Sequence, residues 1–146
     1  MLTETSIFAS SLSVVGNINR DIKTASLRAG DHLFKDGETS VGAISETIGG
    51  GGANSACAAA ALGARVAFIG KIGADALGDR LEQTLVQHGI NANLARDKNH
   101  PSGTSINLTF DNGHRHFVSC LPNNESLSFD DLDLSKIGRA SCRERV

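Results

Sequence analysis

At 146 residues, with 40% hydrophobic and 21% charged residues, the chain has the make-up of one ordinary globular domain or a piece of a larger one. A formal charge of −2 gives nucleic acid or an anionic membrane surface no electrostatic hold, and no apolar run approaches the roughly 18 residues that span a bilayer. With no Trp or Tyr, and six Phe against 16 Gly, the core must be aliphatic and closely packed.

The first residues, MLTETSIFASSLSVVG, lack the basic start and clean apolar stretch of a secretory signal. The three cysteines, Cys57, Cys120 and Cys142, are odd in number and far apart, so no disulfide framework is expected and a reducing cytoplasm is the expected setting. SLSVVG (11–16) suits a buried strand, and NINRD after it reads as a polar loop. IKTASL (22–27) is a weaker strand candidate, GDHLFKDG (30–37) a turn-rich connection and TSVGAISETI (39–48) another strand. ANSACAAAAL (53–62) predicts an Ala-rich helix that stops at Gly63. RVAFIG (65–70) is a buried strand. ADALGDRLEQTLVQHG (74–89) is an amphipathic helix with Leu77, Leu81 and Leu85 on one face, Asp75 as N-cap and Gly89 as its stop. GINANLARD holds a short strand. TSINLTF (104–110) and HRHFVSCL (114–121) flank Asp111-Asn112-Gly113, a hairpin signal, and PNNESLSFDDLDLS reads as a loop entering a helix.

Strands alternating with helices predict an α/β layered domain with a mainly parallel sheet. The insert at about 22–48 is open to forming a small sheet of its own. His114, His116 and Cys120 lie at even spacings on one strand, an arrangement borderline metals accept, but no second cluster completes a ligand set. Solvent-facing histidines are the preferred reading, and no metal is expected.

The run GGGGAN (49–54) carries most of the functional signal. It is not a nucleotide P-loop, since no Lys-Ser or Lys-Thr follows, nor a dinucleotide fingerprint, since no third glycine falls in register. A glycine loop entering a helix N-terminus remains. Its exposed backbone N–H groups suit hydroxyls or anions, and Asn54 adds a donor and an acceptor. A loop whose glycines only satisfy sterics is the alternative.

GGGANSACAAAALGARVAFIGKIG resembles the N-terminal signature of the PfkB, or ribokinase-like, carbohydrate kinases, through Gly50, Gly51, Gly52, Asn54, Ala56, Gly63 and Gly73. The resemblance runs over about 11–135, and VVGNINRD looks like the family's first strand and sugar-contacting loop. It implies a three-layer α/β/α fold with a small β lid, of which this chain holds about half. By the same resemblance Asn19 and Asp21, with Gly50, Gly51 and Asn54 of the glycine loop, bind substrate hydroxyls. A carboxylate at Asp21 is apt for accepting two hydroxyl hydrogens of a diol. Gly51 stands where ribokinases themselves often carry Lys, so ribose is not singled out.

The family transfers the γ-phosphoryl of ATP, with Mg2+, to a hydroxyl of a sugar or nucleoside. Its catalytic Asp lies in a G-x-G-D motif of the C-terminal half, before a helix whose N-terminus forms an anion hole. The nearest matches here are LGD (77–79) and AGD (29–31), and neither precedes an Ala-rich helix. No catalytic residue and no strong ATP binding are therefore expected in this chain. The insert at 22–48 corresponds to lid, and a homodimer through that lid is the implied assembly of the full-length protein. The alternatives are an adenosine-like nucleoside kinase, in which Phe34 contributes to an apolar lid pocket, and a non-catalytic sugar-binding half-domain.

The last stretch, KIGRASCRERV (136–146), sets Lys136, Arg139, Arg143 and Arg145 against Glu144, unlike the acidic body. One reverse translation of 137–146, ATC GGA AGA GCG TCG TGT AGG GAA AGA GTG, matches a common sequencing-adapter sequence, and its next triplet would be a TAG stop. Residues 136–146 are thus expected to be translated adapter and 1–135 the native N-terminal part. A parallel sheet cut halfway exposes an apolar edge, so the 146-residue chain on its own is expected to aggregate or fold only in part.

Overall fold

The chain divides its strands between two sheets that meet at the glycine run. The computed structural model describes residues 11–133; the basic C-terminal stretch 136–146, with Cys142, lies outside them. β1 (Ser11–Val15), β4 (Arg65–Gly73) and β5 (Asn91–Asp97) form an all-parallel sheet in the order β1-β4-β5. β2 (Asn19–Thr24), β3 (Ile44–Gly49), β6 (Thr104–Thr109) and β7 (Arg115–Cys120) form a second sheet in the order β3-β2-β6-β7. In that sheet β2 runs parallel to β6 and antiparallel to β3.

Helices α1 (Gly51–Ala61) and α2 (Ala76–Gln87) pack on the parallel sheet. Their buried faces, Ala53 and Ala56 from one and Leu81 and Leu85 from the other, close a core with Val14, Val66, Phe68 and Ile72. Burying a side chain such as Phe68 or Leu85 contributes about 1.5–3 kcal/mol. The alanines matter for distance rather than bulk. They let α1 lie so close that a Cβ on Gly52 would stand 2.8 Å from the Cα of Gly16.

The expected helices stand, with Asp75 accepting from Gly78 N at 2.7 Å as the N-cap of α2. The same carboxylate accepts from Ser102 N and Ser102 Oγ, both at 2.8 Å, where the chain crosses from one sheet to the other. Burial alone would raise its pKa, but these hydrogen bonds outweigh burial and hold it below the usual value.

Two boundaries differ from the sequence reading. The polar stretch NINRD is a loop only to Ile18. That residue is fully buried, and from Asn19 the chain pairs with β3 and from Arg20 also with β6, as β2. The small sheet also extends past the insert at 22–48: it begins at Asn19 and recruits the hairpin β6–β7, because Arg20 pairs with Thr104. The strand expected over 39–48 starts only at Ile44.

After β7 the short helix α3 (Pro122–Glu125) and the turn Phe129–Asp131 are fastened to the parallel sheet. Asn123 Nδ2 donates to Lys71 O at 2.5 Å, and Lys71 Nζ donates to Ser126 O and Asp131 Oδ2 at 3.0 and 2.9 Å. Asp97 accepts from Ser126 Oγ at 2.7 Å, from Asn99 N and from His100 N. The Ser126 hydroxyl, followed by the Asn99 N–H and the His100 side chain, holds the Asp97 carboxyl well below the usual carboxylate range. Lys71 lowers Asp131 in the same direction.

A carboxyl whose folded pKa is depressed stabilises the fold fully above its unfolded value of about 4, and that stabilisation is lost as pH falls through the folded value. Asp97→Asn should therefore melt below the parent protein at neutral pH. The gap should close as the pH is lowered through the acid range, as read by thermal denaturation followed by circular dichroism.

Candidate functional site

The second sheet begins where the first ends: one turn, Gly16-Asn17-Ile18, separates β1 from β2. Asn17 secures that turn to α1. Its side-chain Oδ1 accepts from Gly52 N at 3.0 Å and its backbone O accepts from Ala53 N at 3.1 Å. Two of the N–H groups that a helix start leaves unpaired are thereby satisfied from a neighbouring turn, with no capping side chain of the helix's own.

Such an approach needs bare backbone on the other side. Gly50 has φ +95°, and a Cβ there would stand 2.6 Å from Asn17 O. Gly49 pairs with Asn19 across β3 and β2, and a side chain on it would overlap the Asp21 carboxylate. Asp21 lies over the missing side chain of Gly49 and accepts from Asn19 Nδ2 at 2.7 Å. Asn19 is buried and Asp21 half-buried, while Gly51 and Asn54 are exposed on the first turn of α1.

All five residues singled out in the sequence, Asn19, Asp21, Gly50, Gly51 and Asn54, thus gather at one junction. Asn19 and Asp21 stand on a strand rather than a loop, which fixes their direction. Two residues that build the junction were missed. Asn17 looked like one more polar loop residue, and Gly49 like an extra glycine at the head of the run. The signal for both was the pairing of a polar turn with a glycine run, which local pattern alone does not connect.

The junction offers a carboxylate acceptor held in place by Asn19 and lodged over Gly49, with Gly51 and Asn54 exposed on the helix turn that follows. That set suits adjacent hydroxyls. The opposite face of the second sheet carries the Arg20–Glu46 ion pair at one end and an apolar groove at the other. There Thr24, Leu27, Phe34, Ile44, Leu108 and His116 line a groove of about 440 Å3. Phe34, 90% exposed, belongs to this groove and not to the face that carries Asp21. Among the described residues no three His, Cys, Asp or Glu side chains are grouped to hold a metal.

The two short GD matches do not make a nucleotide site. Gly78 is buried in the first turn of α2 and Asp79 pairs with Arg96, while Asp31 opens a single 3-10 turn. Neither presents a glycine loop leading into a helix N-terminus.

Gly50→Ala should cost about 1–3 kcal/mol in urea denaturation, from left-handed strain and collision with Asn17 O. Gly51→Ala, whose added carbon would meet only Asn17 Oδ1 at 3.6 Å, should stay within about 0.5 kcal/mol of the parent.

The signature of the pfkB family carbohydrate kinases matches residues 9–142. The ribokinase of Haemophilus influenzae is 42% identical over 80 residues, 54% of this chain and 25% of that protein. The ribokinase of Bacillus subtilis is 32% identical over 108 residues, 73% of this chain and 36% of its own length. The chain therefore spans well under half of these relatives. The crystal structure of fructokinase with bound ATP from Xylella fastidiosa superposes with a TM-score of 0.67 at 22% identity, over 86% of this chain and 38% of that one, a likeness of fold.

Proposed function

This chain belongs to the pfkB family of carbohydrate kinases, and from that premise we propose that it is the substrate-holding N-terminal part of an ATP-dependent sugar kinase. The observation that carries the proposal is the Asp21 carboxylate, lodged over Gly49 and held by Asn19, at the junction with the first turn of α1, where Gly51 and Asn54 are exposed. Asp21 accepts hydrogen bonds from two neighbouring hydroxyls of the substrate, and Asn54 and the Gly51 backbone contact the next. Fixing the sugar in this way removes its freedom to tumble before reaction, a large part of what a phosphoryl-transfer enzyme contributes.

ATP, bound with Mg2+, supplies the phosphoryl group. The residues that bind it and the Asp that takes the hydroxyl proton belong to the part of the protein beyond about residue 135. On this reading 136–146 are not native, and the 146-residue chain alone is inactive. The setting is the cytoplasm, where ATP is available; among the described residues no helix is long and apolar enough to cross a membrane. The second sheet acts as the lid that keeps water from the transferring phosphoryl.

The apolar outer face of that sheet, with Ile44 68%, Val118 54% and Ile106 37% exposed, supports pairing of two lids in a homodimer. The nucleoside alternative is disfavoured because Phe34 lies on that outer face, away from Asp21.

The complete protein should release ADP from ATP in the presence of at least one of D-ribose, D-fructose or a related sugar. Asp21→Asn should lower kcat/KM by about a hundredfold, since a hydrogen-bonded carboxylate is lost from substrate recognition. Turnover unaffected by that change would place the substrate elsewhere. Ile44→Asp should convert the dimer to monomer in sedimentation velocity, and a parent protein already monomeric at micromolar concentration would contradict the pairing.

A further inference from the structure

Where α2 packs against β2, a cleft of about 170 Å3 remains between the helix and the second sheet. It lies on the face away from Asp21, because Arg20, Ile22, Glu46 and Ile48 alternate along β2 and β3 with Asn19 and Asp21. Arg20 and Glu46 line its sheet side, and Leu77, Arg80, Leu81 and Thr84 line the side of α2.

The charges in this cleft do not balance: Arg20 and Arg80 face a single carboxylate, Glu46. A guanidinium carries several N–H donors in a planar fork, and Arg20 uses few of them. Its Nη2 donates to Thr104 Oγ1 at 3.3 Å, while Glu46 Oε2 stands 3.6 Å from Nη1, close enough to attract and too far for a hydrogen bond. Glu46 is half exposed, and so loose a pair contributes little. Across the cleft the Arg80 side chain makes no ion pair or hydrogen bond among the described residues; only its backbone O is engaged, accepting from Thr84 Oγ1. Ala76, Leu77, Gln83 and Thr84, one turn away on α2, are uncharged. The acidic neighbours Asp79 and Glu82 are both taken by Arg96.

Two under-used guanidiniums on opposite walls of a small cleft match a compact anion with acceptor oxygens on several sides. We propose that the cleft binds a phosphoryl group, held by Arg20 from the second sheet and by Arg80 from α2, with Glu46 giving up its place beside Arg20. A phosphoryl group offers oxygens to both forks and carries more charge than the single carboxylate it displaces. The bound group joins the second sheet to the helix that rests on the parallel sheet. Its source is free phosphate or a phosphorylated small molecule whose remaining part stays in solvent. The site lies outside the junction at Asp21 and does not depend on the sugar-kinase reading.

Equilibrium dialysis of radiolabelled inorganic phosphate against the complete protein at fixed ionic strength tests the assignment. Phosphate held at any other site is common to the parent and its variants, so their differences report the cleft. Arg80→Gln should weaken binding about tenfold or more, since charge-assisted hydrogen bonds are lost. Glu46→Gln should tighten it about twofold to fivefold, since a competing carboxylate is removed. Arg28→Gln removes the same charge from the far end of the sheet, next to the Leu27–Phe110 bridge, and should match the parent. Displacement of the label by glycerol phosphate at concentrations well below those of phosphate itself supports a phosphorylated molecule as the occupant. Displacement only at similar concentrations supports the free ion. No saturable binding by the parent overturns the proposal, as do Arg80→Gln and Glu46→Gln isotherms that coincide with the parent's. Equal weakening by Arg80→Gln and Arg28→Gln overturns it as well.

Discussion

The contact on which the rest depends is backbone against backbone: the Gly16-Asn17-Ile18 turn lies directly on the glycine run that opens α1. Side chains are absent from Gly16, Gly49, Gly50 and Gly52 because the space is already filled, by Asn17, by Asp21 or by each other. Asn17 then caps the helix that the glycines begin. One small region thereby joins the parallel sheet, the second sheet and α1. The orientation of Asp21 is a consequence of that joint. A carboxylate on a free loop would need ordering at each binding event, whereas one on β2, braced by Asn19, is ordered beforehand.

The two sheets divide the work along chemical lines. The parallel sheet carries an aliphatic core under α1 and α2 and provides the rigid base. The second sheet buries little on its outer side and is polar on the inner. Its attachment is polar as well: Asp75 grips Ser102 where β6 departs, and Asn124 Oδ1 accepts from Ile18 N where β2 begins. Lys71, Asp97 and Asp131 fasten the segment that follows β7 to the parallel sheet. Hydrogen-bonded anchors of this kind fix the direction in which the second sheet leaves the first.

Much of the junction was legible in the sequence because its parts are local. The glycine run next to an Ala-rich helix, the Asp75 cap and the hairpin at Asp111-Asn112-Gly113 all follow from residues within one turn of each other. The membership of the second sheet was not. It depends on Arg20 pairing with Thr104, a contact between distant stretches that no local periodicity records. Asn17 and Gly49 became visible as a pair, each explained by the close approach of the other's neighbours.

If this chain is, as proposed, the sugar-holding part of a kinase, nucleotide-binding and catalytic residues follow it in the same gene. Reading the source DNA through codon 135 with independent primers tests this most directly. The frame is expected to continue past Ser135 and to reach a G-x-G-D motif ahead of a helix rich in small residues. A frame that reads IGRASCRERV and then stops in every independent amplification would contradict it, and would leave a half-domain that binds a sugar without phosphorylating it.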